Sequence, residues 1–154
     1  MPLAARIVEV GGYQLLDGGI SDSIPLKYLE SVGYDRNVVI LTQPMGYEKK
    51  KNKALPLMKA AYSQYPDLLK TMARRQDVYN ETTAYIREKE RRGEVFVIRP
   101  EAALKIKRVE HDRAKIQAVY DQGRAVARKR LPADRKSTRL NSSHGSESRM
   151  PSSA

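Results

Sequence analysis

The chain has no cysteine and no tryptophan, one phenylalanine and two histidines among 154 residues. Without cysteine there is no disulfide scaffold, no thiol nucleophile and no thiolate zinc site. His111 and His144 are too few for a histidine-rich metal centre. No apolar run approaches the roughly 18 residues of a membrane span. No signal-peptide pattern is visible. The lack of cysteine and of that pattern favours a cytoplasmic setting. Complete catalytic motifs are missing too: there is no G-x-S-x-G, no G-x-x-x-x-G-K-[ST] and no G-x-G-x-x-G. The nearest approach, Gly19-Ile20-Ser21-Asp22-Ser23, lacks the second glycine of a nucleophile elbow.

What is abundant is positive charge, a net +11. Such an excess points to an anionic partner, either nucleic acid or an anionic lipid surface. Part of it lies in residues 134–154, where the composition turns serine-rich and polar. Asp134-Arg135-Lys136-Ser137-Thr138-Arg139-Leu140-Asn141-Ser142-Ser143-His144 resembles the translation of a common short-read sequencing adapter. Ser148-Arg149-Met150-Pro151-Ser152-Ser153-Ala154 resembles its continuation in the same frame, with a barcode-sized gap between them. This tail is therefore expected to be non-native and disordered. Residues 1–133 keep 25 basic and 16 acidic residues, a net +9, with His111 as their single histidine.

The pattern along residues 1–133 is that of an α/β protein. Arg6 to Val10 and Tyr13 to Leu16 flank Gly11-Gly12 as a hairpin. Ser23 is the candidate N-cap of a short helix with Pro25 in its first turn, Leu26, Leu29 and Val32 on its apolar face, and Gly33 at its end. Asn37 to Thr42 is a near-continuous apolar run, predicted as a strand buried on both faces of a parallel sheet. A helix is predicted over residues 55–65, and Pro66-Asp67 opens a long one to about Arg92 with Leu68, Leu69, Met72, Val78, Tyr79, Thr82, Tyr85 and Ile86 as its stripe. Gly93 stops it. Glu94 to Ile98 reads as a last strand, and Asp112 as the cap of a helix to about Arg130 with Ile116, Val119 and Tyr120 facing in. Tyr47, Tyr62, Tyr65, Tyr79, Tyr85 and Tyr120 suit half-buried core edges. Lys49, Lys50, Lys51 and Lys53 form a solvated loop that also suits an anionic lipid surface.

Asp17-Gly18-Gly19, taken alone, is a turn at a strand end. In context, Tyr13-Gln14-Leu15-Leu16-Asp17-Gly18-Gly19-Ile20-Ser21-Asp22-Ser23-Ile24-Pro25 resembles the patatin-like phospholipase family around its catalytic aspartate. The likeness runs on through residues 34–44 and into the basic helices and late strand seen in a bacterial branch of that family, covering nearly all of residues 1–133. It implies the C-terminal part of a three-layer α/β/α domain, incomplete, with a helical C-terminal extension. Residues 1–45 would carry the D-G-G motif, 46–133 the helical region with one late strand, and 134–154 the non-native tail. It also implies a serine acyl hydrolase with a Ser-Asp dyad, acting on a lipid or acyl ester without a cofactor or metal. Asp17 would be the base, with Gly18 and Gly19 making the turn. The nucleophile serine and the oxyanion loop would lie upstream of Met1, so the chain alone is expected to be inactive.

The chemistry of the residues fits that placement. A serine hydroxyl needs a base within hydrogen-bond reach, and a suitably placed carboxylate can serve. Asp22 is the other nearby carboxylate, read as a loop or cap residue. His111, between Glu110 and Asp112, reads as a surface contact. The competing reading is a basic nucleic-acid-binding or anionic-lipid-binding module without catalysis. Nucleic acid is not expected, because the cations are spread over several elements and no helix-turn-helix or RRM motif appears. Oligomeric state stays open.

Overall fold

A computed structural model describes residues 7–53, 55–107 and 109–142. The protein mixes helix and strand. The first element is a hairpin, β1 (Val8–Val10) and β2 (Tyr13–Leu15), antiparallel with Val8 opposite Leu15 and Val10 opposite Tyr13. Gly11 and Gly12 both have positive φ (57° and 81°), the conformation a two-residue hairpin turn demands and glycine adopts without strain. Arg6, assigned to this strand from the sequence, lies outside the described residues.

A 3₁₀ turn, Gly18–Ile20, leads to α1 (Leu26–Ser31). Pro25, not Ser23, is the N-cap of α1. The Ser23 hydroxyl is engaged elsewhere, donating to the Gly19 carbonyl at 2.8 Å. Of the predicted apolar face only Leu26 is buried, at 2%, while Leu29 and Val32 are exposed. The helix ends as predicted at Gly33. Gly33 N–H donates to Glu30 O and Tyr34 N–H to Leu29 O, the paired bonds of a Schellman stop around a glycine with φ 95°.

Next come β3 (Asn37–Ile40), α2 (Leu55–Ala61), α3 (Pro66–Arg91), β4 (Val95–Ile98) and α4 (Arg113–Ser142). β3 and β4 form a second two-stranded sheet. The expectation of β3 as a strand buried on both faces is corrected: Val38 is 56% and Ile40 72% exposed, and only Val39 is buried. The strand buried almost throughout is β4, with Val95, Val97 and Ile98 all under 9% exposed. An apolar run reports that residues prefer burial, but not how many layers are present to bury them.

The chain divides into two compact units, Met1–Val39 with Gly46–Val95 and Ile40–Met45 with Phe96–Ala154. In the first, α3 is the spine. Its buried positions Met72, Gln76, Thr82 and Ile86 follow the predicted stripe, except that Gln76 was not foreseen there. Ile20, Met58 and Met72 form the core cluster, with Leu16, Leu55, Leu68 and Leu69 packed against it. In the second unit, Arg130 donates to Val97 O at 3.2 Å and lies over the Phe96 ring, and Lys129 pairs with Glu101 at 2.8 Å.

The Asp112 carboxylate accepts from the amides of Ala114 and Lys115, the capping role predicted for it at the start of α4. The helix continues past the expected end near Arg130 to Ser142, so the backbone expected to be disordered from Asp134 is helical over its first nine residues. Residues 124–142 contain no glycine, and alanine, leucine, arginine and lysine dominate, all good helix formers. Pro132 lacks an amide hydrogen but does not end the helix. The rest of the tail, 143–154, lies outside the described residues. Ile116 and Tyr120, expected to face inward, are exposed.

Candidate functional site

The Asp17 turn is fixed from below by the residues on either side of it. Leu16 precedes it and Ile20 follows it, and both belong to the cluster built on Met58 and Met72. Ile20 is 4% exposed, so the turn is pinned to the helical core while Asp17 itself stays in solvent. Burying an isoleucine side chain stabilises by about 2 kcal/mol, enough to hold a three-residue turn in register.

Within the turn, Asp17 Oδ1 accepts the Gly19 amide hydrogen at 2.9 Å. Its carbonyl accepts from Ile20 N–H at 3.1 Å, closing the 3₁₀ turn. Oδ2 has no hydrogen-bond partner among the described residues. The carboxylate is thus oriented through one oxygen and open at the other. The surroundings call for glycine at only one of the two positions. A Cβ on Gly19 would come within 3.2 Å of Asp17 Oδ1, crowding the oxygen that caps the turn. Gly18 has no positive φ and nothing within 4 Å of a Cβ placed on it, so the space beside Asp17 is open there.

One residue of this turn's surroundings was not legible in the sequence. Arg75, on α3, donates its Nε hydrogen to Gly19 O at 3.0 Å, across 56 positions of chain. Gly19 O therefore accepts from both Arg75 and Ser23. Only the helical register of α3 hints at this, because Arg75 precedes Gln76 and follows Met72 by three residues, near the buried stripe.

The two local serines do not meet the carboxylate. Ser21 Oγ donates to Gly18 O at 2.9 Å and Ser23 Oγ to Gly19 O at 2.8 Å. Both hydroxyl hydrogens point at backbone carbonyls, so neither is set up to lose its proton to Asp17. Asp22 Oδ1 accepts from Ile24 N–H at 3.1 Å, a local loop contact. His111 is exposed and distant in sequence, and its amide donates to Glu110 Oε1 at 3.0 Å.

The basic loop is ordered by aromatic and amide contacts. Lys49 exchanges backbone hydrogen bonds with the Asn80 side chain (2.8 and 3.1 Å) and stands 4.0 Å from the Tyr79 ring centroid. Tyr47 meets Tyr79 edge to face at 6.1 Å. Burial raises the Tyr79 hydroxyl above its ordinary range, with the Tyr47 hydroxyl adding to it. Tyr62, Tyr65, Tyr79 and Tyr85 sit half-buried as expected, whereas Tyr47 and Tyr120 are exposed.

Among the described residues no group of three or more His, Asp or Glu side chains is placed to hold a metal ion. No described helix is long and apolar enough to cross a membrane. Compared with known families, residues 65–138 match the model of a domain of unknown function, DUF6363, a range that takes in α3, β4 and most of α4. The Asp17 turn lies outside that match. Searches of curated proteins and of solved structures gave no significant match.

Proposed function

We propose that this chain carries the general-base side of a patatin-like serine acyl hydrolase, a phospholipase or esterase of lipid degradation, and that Asp17 is the base of its Ser-Asp dyad. On this reading the mixed helix-and-strand chain is part of a three-layer α/β/α domain, and a serine and an oxyanion loop from outside these 154 residues complete the site. The observation that carries it is the Asp17-Gly18-Gly19 turn after β2, with the carboxylate exposed, oriented by Gly19 N–H and open at Oδ2.

The reaction then runs in two halves. The serine hydroxyl adds to the ester carbonyl while Asp17 takes its proton, giving a tetrahedral oxyanion. Collapse expels the alcohol, which leaves with that proton, and an acyl-serine remains. Water adds to the acyl-serine, again giving its proton to Asp17, and the serine departs protonated with release of the fatty acid.

The test is Asp17→Asn in the longer protein that this reading requires, one that also supplies a glycine-rich loop and a G-x-S-x-G. Asparagine keeps an oxygen to accept from Gly19 N–H, so the turn survives while the base is lost. Hydrolysis of p-nitrophenyl butyrate should fall by about 10²–10⁴-fold with the unfolding midpoint unchanged. Near-wild-type turnover would return Asp17-Gly18-Gly19 to a capped turn and assign the proton to another base, whereas no turnover by the unsubstituted longer protein would leave the anionic-lipid-binding module as the surviving reading.

A further inference from the structure

The first half of α4 is a helix without a core. From Arg113 to Ala125 every side chain but Val119 is exposed. On α3, by contrast, the apolar stripe is covered, with Met72 at 3% and Ile86 at 0% exposure. Yet α4 has a stripe of its own. At 100° per residue Ile116, Val119, Tyr120 and Gly123 fall on one side. Ile116 is 45% and Tyr120 54% exposed on that stripe.

The charges are arranged around it. Arg113 and Arg124 lie along one flank of the stripe and Lys115, which also pairs with Asp112 at 3.6 Å, along the other, while Asp121 lies toward the back. Arg124 donates to the Tyr120 hydroxyl at 2.9 Å, and its guanidinium stands 5.6 Å from the ring centroid. That contact holds a cation at the margin of the apolar strip. Arg113 and Arg124 make no ion pair among the described residues.

We propose that this half of α4 docks on a lipid bilayer carrying anionic phospholipid, with Ile116 and Tyr120 entering the headgroup boundary and the flanking cations meeting lipid phosphates. An exposed apolar strip flanked by basic residues is the pattern of a helix that lies in the plane of a membrane interface. A nucleic-acid backbone has use for the cations and none for the strip. A second copy of the chain would bring +11 against +11. The proposal rests on the lipid-hydrolase reading in one respect, that such an enzyme finds its substrate in a bilayer.

The experiment is co-sedimentation of the full chain with sucrose-loaded vesicles. Phosphatidylcholine vesicles with about 30% phosphatidylglycerol should bind it, pure phosphatidylcholine should not, and added salt should weaken binding. Arg113→Gln with Arg124→Gln should lower the partition coefficient by about 25-fold, each cation near such a surface being worth about fivefold. Ile116→Ser with Tyr120→Ser should lower it by about tenfold or more. All four positions are exposed, so helicity by circular dichroism should not change. Equal binding to both vesicle types, no binding to either, or wild-type binding by the variants overturns the proposal. So does duplex DNA binding lost in the arginine variant while vesicle binding is absent, or a dimer dissolved by Ile116→Ser. Binding is read without turnover, so a null result leaves the Asp17 assignment to its own assay.

Discussion

Glu30 receives the Tyr85 hydroxyl hydrogen at 2.6 Å and the Lys89 ammonium at 3.4 Å, and Lys89 reaches on to Glu94 at 2.6 Å. The bond to Glu30 and then burial raise the Tyr85 phenol above its ordinary value, and the Glu94 carboxylate leads in raising Lys89. This cluster ties Glu30 of α1 to Tyr85 and Lys89 of α3. Tyr85→Phe should lower stability by about 1 kcal/mol in urea unfolding, the ordinary net worth of such a bond. Because the partners share one network, Tyr85→Phe and Glu30→Gln should not be additive, and a coupling below about 0.3 kcal/mol in the double-mutant cycle would dissolve the network. A second residue-scale test uses pH. The Arg91 and Arg92 guanidiniums hold the Glu88 carboxyl down at about 2 from its ordinary 4.5. A depressed carboxyl contributes stability that is present above the unfolded value and lost as pH falls through the folded one. The unfolding midpoints of wild type and Glu88→Gln should therefore converge between pH 5 and about pH 2, with a small, salt-sensitive gap above that, as befits exposed ion pairs. Periodicity placed Tyr85 on the stripe of α3 in advance. It did not pair it with Glu30, because a contact across 55 positions is set by helix docking and leaves no local signature.

The two ends of α3 were legible, because their chemistry is local. Pro66 opens α3 and Gly93, at φ 74°, closes it, with Gly93 N–H bonded to Glu90 O and Glu94 N–H to Lys89 O. Gly93→Ala forces a Cβ into the left-handed region and should cost about 1 kcal/mol, with no clash to add to it because nothing lies within 4 Å. Ile86→Ala, at a position with 0% exposure, should cost about 2–5 kcal/mol by thermal or urea unfolding. A loss below about 1 kcal/mol would mean that α3 is not the spine of its unit. Strand burial was read less well. Val38-Val39-Ile40 has the composition of an interior strand, but only Val39 is covered. α4 also runs past the expected end near Arg130, since a change in composition after Ala133 does not by itself stop a helix. Gly123 inside α4, where glycine costs about 1 kcal/mol, shows how much an otherwise favourable run tolerates.

For the whole molecule, the candidate site divides into what a linear motif carries and what only folding supplies. Asp17-Gly18-Gly19 was readable as a motif, and its turn is built by those three residues. That Leu16 and Ile20 anchor it to Met58 and Met72, and that Arg75 closes over Gly19, follows from docking against α2 and α3. The same geometry decides what the chain does unaided. Ser21 and Ser23 are the only serine or threonine hydroxyls within a few residues of Asp17 in the sequence, and both spend their hydrogens on backbone carbonyls. Moving either onto Asp17 Oδ2 means breaking a bond of about 1 kcal/mol and reshaping a turn pinned by Ile20. On the proposed reading the oxyanion loop also comes from outside these residues, and its donors are worth about 10²–10³-fold each. The 154-residue chain should therefore hydrolyse p-nitrophenyl butyrate no faster than buffer, and a fluorophosphonate probe should label no serine in it. Ser21→Ala and Ser23→Ala should change neither result. Turnover or labelling that disappears in one of those two variants would place a nucleophile inside the loop itself, and the site would then need no serine from elsewhere.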